Sequence, residues 1–197
     1  MEKVSSKDRI LDSALDLFSE KGYDGVGVDQ IAQNIGLKGP SIYKHFKGKE
    51  DILKCLMDRL ETHYQKNFGS VENIGEVPSS MEALIASSMK RIEFTMHDPQ
   101  IRKVRRFLSM EQFRNPMMAE ITTMHSLTGI QNMYSRIFAA MIAQNMVKAE
   151  DSDVLALEWV SPVALMVQIC DRQPEKEVQC MKTIQEHFEH FAKTYAL

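Results

Sequence analysis

Four lysines lie between Gly36 and Lys49, a segment that contains no acidic residue. Serine, tyrosine and histidine side chains lie among them, so that the polar set comprises Lys38, Ser41, Tyr43, Lys44, His45, Lys47 and Lys49. Lysines neutralise the phosphates of a nucleic-acid duplex, and short hydrogen-bonding side chains on a helix can reach base edges in the major groove. The segment therefore has the chemistry of a DNA-contacting surface, although by charge alone it would equally suit a solvated helix face.

The apolar residues around this segment predict two short helices that would position it. The first helix is indicated by four residues at helical spacing, which are Val28, Ile31, Ala32 and Ile35. Gly36 follows them and can take the left-handed conformation that ends a helix. Pro40 suits the first turn of a second helix, and Ile42 and Phe46 give that helix a buried face. Two short helices across a glycine-containing turn are typical of a helix-turn-helix.

The wider N-terminal sequence resembles the TetR family of bacterial transcription regulators. The resemblance runs from about Ile10 to Leu53 through Ile10-Leu-Asp-Ser-Ala-Leu-Asp-Leu-Phe18, Lys21-Gly-Tyr23, Gln30-Ile-Ala32, Ile35-Gly-Leu37, Ile42-Tyr-Lys-His-Phe46 and Lys49-Glu-Asp-Ile-Leu53. Three positions depart from the usual family pattern, namely Gly27 and Lys38 at the two helix-capping positions and Gly39-Pro40 in place of a common Lys-Gly.

The resemblance implies roles for individual residues. Tyr43 and Lys49 would contact phosphates, and the segment from Gly39 to His45 would read bases. The complete DNA-contacting set that we predict is Lys38, Gly39, Pro40, Ser41, Tyr43, Lys44, His45, Lys47 and Lys49. The implied function is that of a ligand-responsive repressor, which binds an inverted-repeat operator as a dimer and is released by a small apolar or amphipathic effector.

The remaining sequence predicts an all-α fold. A first helix from Ser5 or Ser6 to Lys21 completes an N-terminal three-helix unit, and Tyr23 is expected to pack back on Phe18. A fourth helix, from about residue 48 to 68, would join that unit to a larger helical domain, with a linker over residues 69–80. We predict a DNA-binding domain over residues 1–50 and a ligand-binding and dimerisation domain over residues 51–197.

Methionine and aromatic residues are frequent in the larger domain, and methionine adapts to irregular cavities. Taken singly, such residues are usually core residues, so the effector pocket is mainly an implication of the resemblance. The predicted lining is Phe94, His97, Phe107, Met110, Phe113, Met124, His125, Tyr134, Trp159 and Met166. His97, His125 and Tyr134 are its candidate polar anchors, and each also suits a surface or capping role.

The helix that follows Asp151 is apolar almost all round, which predicts that it is covered on two sides. A partner subunit would cover it, and the resemblance implies a four-helix dimer interface made with the last helix; the alternative is that it fills the monomer core. Pro162 should kink this helix or break it in two. On the last helix, His187 and His190 lie three residues apart, a spacing that metal ligands can have. Histidines in a charged helix are usually solvated, however, so no metal or cofactor is expected.

Composition limits the remaining function classes. The chain of 197 residues is 44% hydrophobic and 26% charged, with a net charge of −3, which is typical of a folded domain. No uninterrupted apolar run approaches a membrane span, and the N-terminus lacks the apolar core of a signal peptide, so we expect a cytoplasmic protein. Three cysteines without metal-binding spacing are expected to be reduced thiols. No catalytic motif is apparent, but a helical enzyme and a protein-interaction module that does not bind DNA stay open as alternatives.

Overall fold

The computed structural model describes residues 5–68 and 77–197, in which helices are joined by turns and short loops and one isolated β-bridge pairs Val147 with Ala196. The all-α prediction is confirmed. The α-helices of the described residues are α1 (Ser6–Lys21), α2 (Val28–Asn34), α3 (Lys49–Phe68), α4 (Met81–His97), α5 (Pro99–Glu111), α6 (Pro116–Thr123), α7 (Gly129–Ala143), α8 (Ser152–Arg172) and α9 (Glu177–Tyr195). Gly39–Lys44 forms a short 3-10 helix, the reader helix, and Met124–Thr128 forms a π-helical turn between α6 and α7. Of the predicted linker, residues 69–76 lie outside the described residues.

Two compact units divide the chain. Unit 1 comprises Met1–Asn67 and Asp98–Ala119, and unit 2 comprises Phe68–His97 and Glu120–Leu197. α5 therefore belongs to the same unit as the helix-turn-helix, which the sequence did not indicate. These units follow packing, whereas the predicted division between residues 50 and 51 concerns function and stays a prediction.

Helix caps that are legible in the sequence define the helix ends. Ser5 accepts a hydrogen bond from the Asp8 N–H at the start of α1, and Asp98 accepts from the N–H groups of Gln100 and Ile101 at the start of α5. Asp151 does the same for the first turn of α8. These caps satisfy amide groups that have no partner inside the helix, so they fix the residue at which each helix begins.

The core of unit 1 is built where α5 packs on α1. Phe18 is fully buried, and its ring lies 5.5 Å from Phe107 and 5.4 Å from Tyr23, measured between ring centres. The predicted contact between Tyr23 and Phe18 is thus confirmed. Glu111, which is only 2% exposed, accepts a hydrogen bond from the Tyr23 N–H at 3.2 Å. α1 therefore holds both α5 and the turn that leads to α2.

Aromatic rings from α7, α8 and α9 form the core of unit 2. Trp159 is stacked on Phe188 with ring centres 4.0 Å apart, and Phe138 and Phe191 lie edge-on to the same indole. The buried thiols of Cys170 and Cys180 are free. Burial, together with the hydrogen bond to Cys180, raises the pKa of Cys170 to about 12, so this sulfur stays protonated.

α8 runs unbroken through Pro162, so the proline does not divide it into two helices. Since Pro162 has no N–H, the Glu158 carbonyl lacks its usual partner within the helix. The His187 ring of α9 lies beside the Trp159 ring, with ring centres 6.5 Å apart, and its buried Nε2 has no hydrogen-bond partner among the described residues.

One side of α8 is exposed and apolar. Val154, Leu157 and Leu165 are 51%, 44% and 52% exposed, and Ser161 lies on the same side. By length and composition this helix resembles a membrane span, with a mean hydropathy of 1.5 over an 18-residue window that is 28% buried. A partly covered core helix passes the same test, so the feature that needs explanation is the exposed apolar face itself.

Candidate nucleic-acid interface

The reader helix separates buried from exposed side chains. Ile42 and Phe46 are 0% and 2% exposed and hold it on unit 1, whereas Tyr43 is 62% exposed, and Lys44 and His45 are also exposed. The predicted second helix is present, but it is wound as a 3-10 helix, with Ser41 N–H bonded to the Lys38 carbonyl and His45 N–H to the Ile42 carbonyl. A helix this short readily adopts the tighter 3-10 winding, and the Lys38 side chain makes no capping hydrogen bond to it.

The turn between α2 and the reader helix depends on two glycines. Gly36 has a φ of +71°, the left-handed conformation that was predicted, and Leu37 N–H closes the turn onto the Ala32 carbonyl at 2.9 Å. Gly39 is needed for a different reason, because a Cβ there would overlap the Asp29 carboxylate. The unusual glycine at position 39 therefore accommodates an acid from α2.

Two carboxylates lie beside a segment that itself contains no acidic residue. The Asp29 carboxylate occupies the space that a Cβ at Gly39 would take, and Asp51 accepts a hydrogen bond from the Lys47 N–H at 2.8 Å. Neither carboxylate pairs with a lysine ammonium of this segment among the described residues. Lys38, Lys44 and Lys47 are exposed, so the basic surface is retained at its edges.

Lys49 is held in place at the start of α3. Its ammonium donates to the Tyr23 carbonyl at 2.8 Å and lies 4.2 Å from the centre of the Tyr23 ring. Burial, followed by the charges of Glu50 and Asp24, raises the pKa of Tyr23, so its phenol stays neutral. This ammonium is thus pre-positioned, which reduces the entropy lost when it binds an anion.

Polar side chains of α1 fix α2 in position. Ser13 donates to the Ile31 carbonyl at 3.0 Å, and Asn34 donates to the Ser13 hydroxyl at 3.0 Å. Arg9 donates to the Ile35 carbonyl at 2.7 Å and so caps the C-terminal end of α2. The sequence analysis missed these residues, because serine and arginine on a helix carry no signal of their long-range partners. At the other end of α2 the Gln30 side chain accepts from the Gly27 N–H, which compensates for the missing capping hydroxyl.

The predicted effector-lining residues are divided between the two units. Phe107, Met110 and Phe113 lie in unit 1, where Phe107 is fully buried in the α1–α5 core, and Met110 and Phe113 are 37% and 91% exposed. The side chain of Phe107 packs on Phe18. Its role in an effector lining stays a prediction.

The other seven members of the set lie in unit 2, and the structure brings some of them together. Tyr134 and Trp159 have ring centres 6.0 Å apart, and the Tyr134 hydroxyl shares a buried hydrogen bond of 2.9 Å with Ser88. Met166 packs on the same core. The positions of the remaining four differ: Phe94 packs edge-on to Phe68, His97 pairs with Glu177 at 2.7 Å, and Met124 and His125 are exposed in the π-helical turn. An effector pocket with this lining stays a prediction.

An open groove of about 460 Å³ lies between α4 and α9 in unit 2. It is lined by Glu82, Ile85, Ala86, Met89, Gln185 and Glu189, none of which was predicted to meet an effector. On the same helix α9, His187 packs its ring against Trp159 and Phe191, while His190 is exposed. In the described residues no group of three or more metal-binding side chains is found.

Residues 10–56 match the family model described as bacterial regulatory proteins of the tetR family. Solved structures of that family share the fold of nearly the whole chain. A putative TetR-family regulator from Mesorhizobium loti superposes with a TM-score of 0.75 at 17% identity, covering 97% of this chain and 96% of that one. Over residues 10–56 the chain therefore resembles the N-terminal region of the TetR family.

Two proteins of named function are similar to this chain. The Staphylococcus aureus biofilm operon icaADBC negative transcriptional regulator IcaR is 45% identical over 65 residues, which span 31% of this chain and 35% of the relative. The match thus covers about a third of the relative's length. The complex of SmeT with triclosan superposes with a TM-score of 0.78 at 15% identity, covering 97% of this chain and 91% of that one, and SmeT is described as the repressor of the Stenotrophomonas maltophilia multidrug efflux pump SmeDEF.

Proposed function

We propose that this chain is a transcriptional repressor that binds an inverted-repeat DNA operator and releases it when a small apolar or amphipathic effector binds. The observation that carries the proposal is the reader helix, which buries Ile42 and Phe46 and exposes Tyr43, Lys44 and His45. The buried residues fix the helix rigidly on unit 1, and the exposed ones have the groups that bind phosphates and base edges.

The names of relatives support repression over activation. IcaR is called a negative transcriptional regulator, and SmeT a repressor. The family model matches residues 10–56, which include the reader helix, so the shared property that we transfer is operator binding by unit 1. Because the proposed target is the genome of a bacterium, we expect this protein to act in the cytoplasm.

We propose that release requires an effector that binds in unit 2. SmeT has been solved with triclosan, a small chlorinated aromatic compound. In this chain Tyr134 and Trp159 combine aromatic surface with a hydroxyl, so a compound of similar polarity is the first to try. Release follows only if the effector binds the DNA-free state more tightly than the DNA-bound state. We propose residues 1–50 as the DNA-binding division and residues 51–197 as the part that binds effector and dimerises.

A homodimer is part of the proposal. The exposed apolar side of α8 needs a cover, and a second copy of the same helix would provide one with two-fold symmetry. Two reader helices would then enter successive major grooves about 34 to 36 Å apart, which makes the operator an inverted repeat.

Selection of bound duplexes from a random pool, followed by sequencing, tests the proposal. We expect recovery of one inverted repeat, with an affinity that falls steeply as salt rises. Tyr43→Phe and Lys44→Ala should weaken binding, while Lys66→Ala, an exposed charge at the far end of α3, should not. If the wild type retained no duplex at low ionic strength, the proposal would be wrong, and the enzyme and protein-interaction alternatives would take its place.

A further inference from the structure

The positive charge of unit 1 comes from α5 and the turn after it. Residues 1–67 contain eleven basic and eleven acidic residues, whereas residues 98–119 contain five basic and two acidic residues. The five are Arg102, Lys103, Arg105, Arg106 and Arg114. Unit 1 thus has a net charge of +3 and unit 2 one of −6, so unit 1 attracts DNA more strongly than unit 2 does.

Three of these arginines are exposed and have no carboxylate partner among the described residues. Arg102 and Arg106 lie one turn apart on the exposed face of α5, opposite the buried Phe107 and Leu108. Arg114 follows in the turn after α5, with its N–H bonded to the Glu111 carbonyl at 2.9 Å. Lys103 differs, because its ammonium pairs with Asp16. Unpaired guanidinium groups are the side chains best suited to phosphate.

Contacts along α1 show which end of α5 lies near Lys49, a residue that we predict to contact a DNA phosphate. Lys103 pairs with Asp16, Phe107 stacks on Phe18, and Glu111 accepts from the N–H of Tyr23, so the two helices run side by side in the same direction. The carbonyl of that same Tyr23 accepts from Lys49. Tyr23 therefore contacts both Glu111, at the C-terminal end of α5, and Lys49, which the proposed function places on phosphate.

We propose that α5 carries a second phosphate-binding surface, formed by Arg114, Arg106 and Arg102, for the DNA backbone that flanks the site read by the reader helix. The inference rests on the proposed function and extends it to residues outside the helix-turn-helix. Arg114 lies nearest to Tyr23 and Lys49 and contributes most, Arg106 contributes less, and Arg102 contributes least. Glu111 is a positioning residue, since its buried carboxylate joins this end of α5 to the Tyr23 backbone.

The test uses the selected operator in two lengths, the inverted repeat alone and the repeat with about ten base pairs, or one helical turn, added on each side. Affinity is measured over a salt series for the full-length wild type, Arg114→Ala, Arg106→Ala, Arg102→Ala and the matched control Lys66→Ala. On the long duplex we expect Arg114→Ala to make the slope of log affinity against log salt shallower by about 1.8, because the dimer loses one phosphate contact, worth about 0.9, from each subunit. On the short duplex it should bind like the wild type.

Arg114→Lys keeps the charge and should keep the slope, which separates loss of a contact from a folding defect. Equal slopes for Arg114→Ala and Lys66→Ala on the long duplex would overturn the inference, even though operator binding by the wild type would still support the proposed function. Equal losses for all four alanine variants on both duplexes would also overturn it, because they would indicate general charge attraction. Arginine-dependent sedimentation with anionic phospholipid vesicles, without any change in the DNA slope, would assign the surface to lipid and contradict the inference.

Discussion

The Lys49 ammonium is bound to Tyr23 twice, through the backbone carbonyl at 2.8 Å and through the face of the ring at 4.2 Å. The Lys49 side chain therefore joins the start of α3 to the turn after α1. We propose that the same ammonium group also contacts a DNA phosphate. Removing it should affect folding as well as binding. Tyr43 differs from Lys49, because the residue is 62% exposed and is not part of the core.

Lys49→Ala should lower the free energy of unfolding by about 1 kcal/mol, since it removes a charged hydrogen bond and a cation–π contact that are partly screened by solvent. Tyr43→Phe should leave that free energy unchanged. Both variants should bind the operator more weakly. Urea unfolding, followed by operator titration of each variant, checks the difference. Equal stability of the two variants would show that the Tyr23 contact contributes nothing.

Gly22→Ala should destabilise the protein more than Gly36→Ala. Both glycines have positive φ, +74° and +71°, and Gly22 also has a ψ of 171°, a conformation that is essentially confined to glycine, so alanine at Gly22 adds backbone strain of about 1–3 kcal/mol. At Gly22 a Cβ would also lie 2.5 Å from a Glu111 carboxylate oxygen, whereas nothing lies within 4 Å of a Cβ at Gly36. Thermal and urea unfolding of the pair measure the difference. Identical losses would mean that Glu111 does not crowd Gly22.

Stability should fall as the pH drops below 6.5, the ordinary pKa of histidine, and His187 should be one cause. Burial lowers the pKa of His187, with His190 acting in the same direction, and these effects outweigh the opposing carbonyls of Trp159 and Glu158 and the Glu158 charge. The unfolded chain then binds the proton at a higher pH than the folded chain does, so acid favours unfolding. His187→Gln should flatten the stability profile measured between about pH 5 and 8. His45→Gln, at an exposed histidine of unit 1, is the control, and an unchanged profile in His187→Gln would contradict the assignment.

Leu157→Glu and Leu165→Glu should convert a dimer into monomers. Each variant places a carboxylate on the exposed apolar side of α8. If a second copy covered this side, the carboxylate would be buried without a partner, which is costly. Lys90→Glu, on the exposed surface of α4, is the matched control. Sedimentation equilibrium of the three variants gives the answer. A wild type that sediments as a monomer would remove the reason for the experiment and would contradict the dimer.

Local signals in the sequence were sufficient for the helices and for the turn that presents the reader helix. Apolar spacing predicted α1, α2 and α3, and Gly36, Asp98 and Asp151 marked helix ends, because a cap and a helical period depend on residues only a few positions apart. The outward polar set around Tyr43 was also predictable, since burial of Ile42 and Phe46 fixes which side of a short helix faces solvent.

Long-range packing decided the rest. Glu111 reaches Tyr23 across 88 positions, and no spacing rule connects residues so far apart. That contact and the stacking of Phe107 on Phe18 place α5 and the turn after it, with their three exposed arginines, in the unit of the helix-turn-helix. The sequence determined which residues form helices, because helix formation is local. Tertiary structure decided which helix partners which, because that choice depends on the fit between surfaces that only the folded chain brings together.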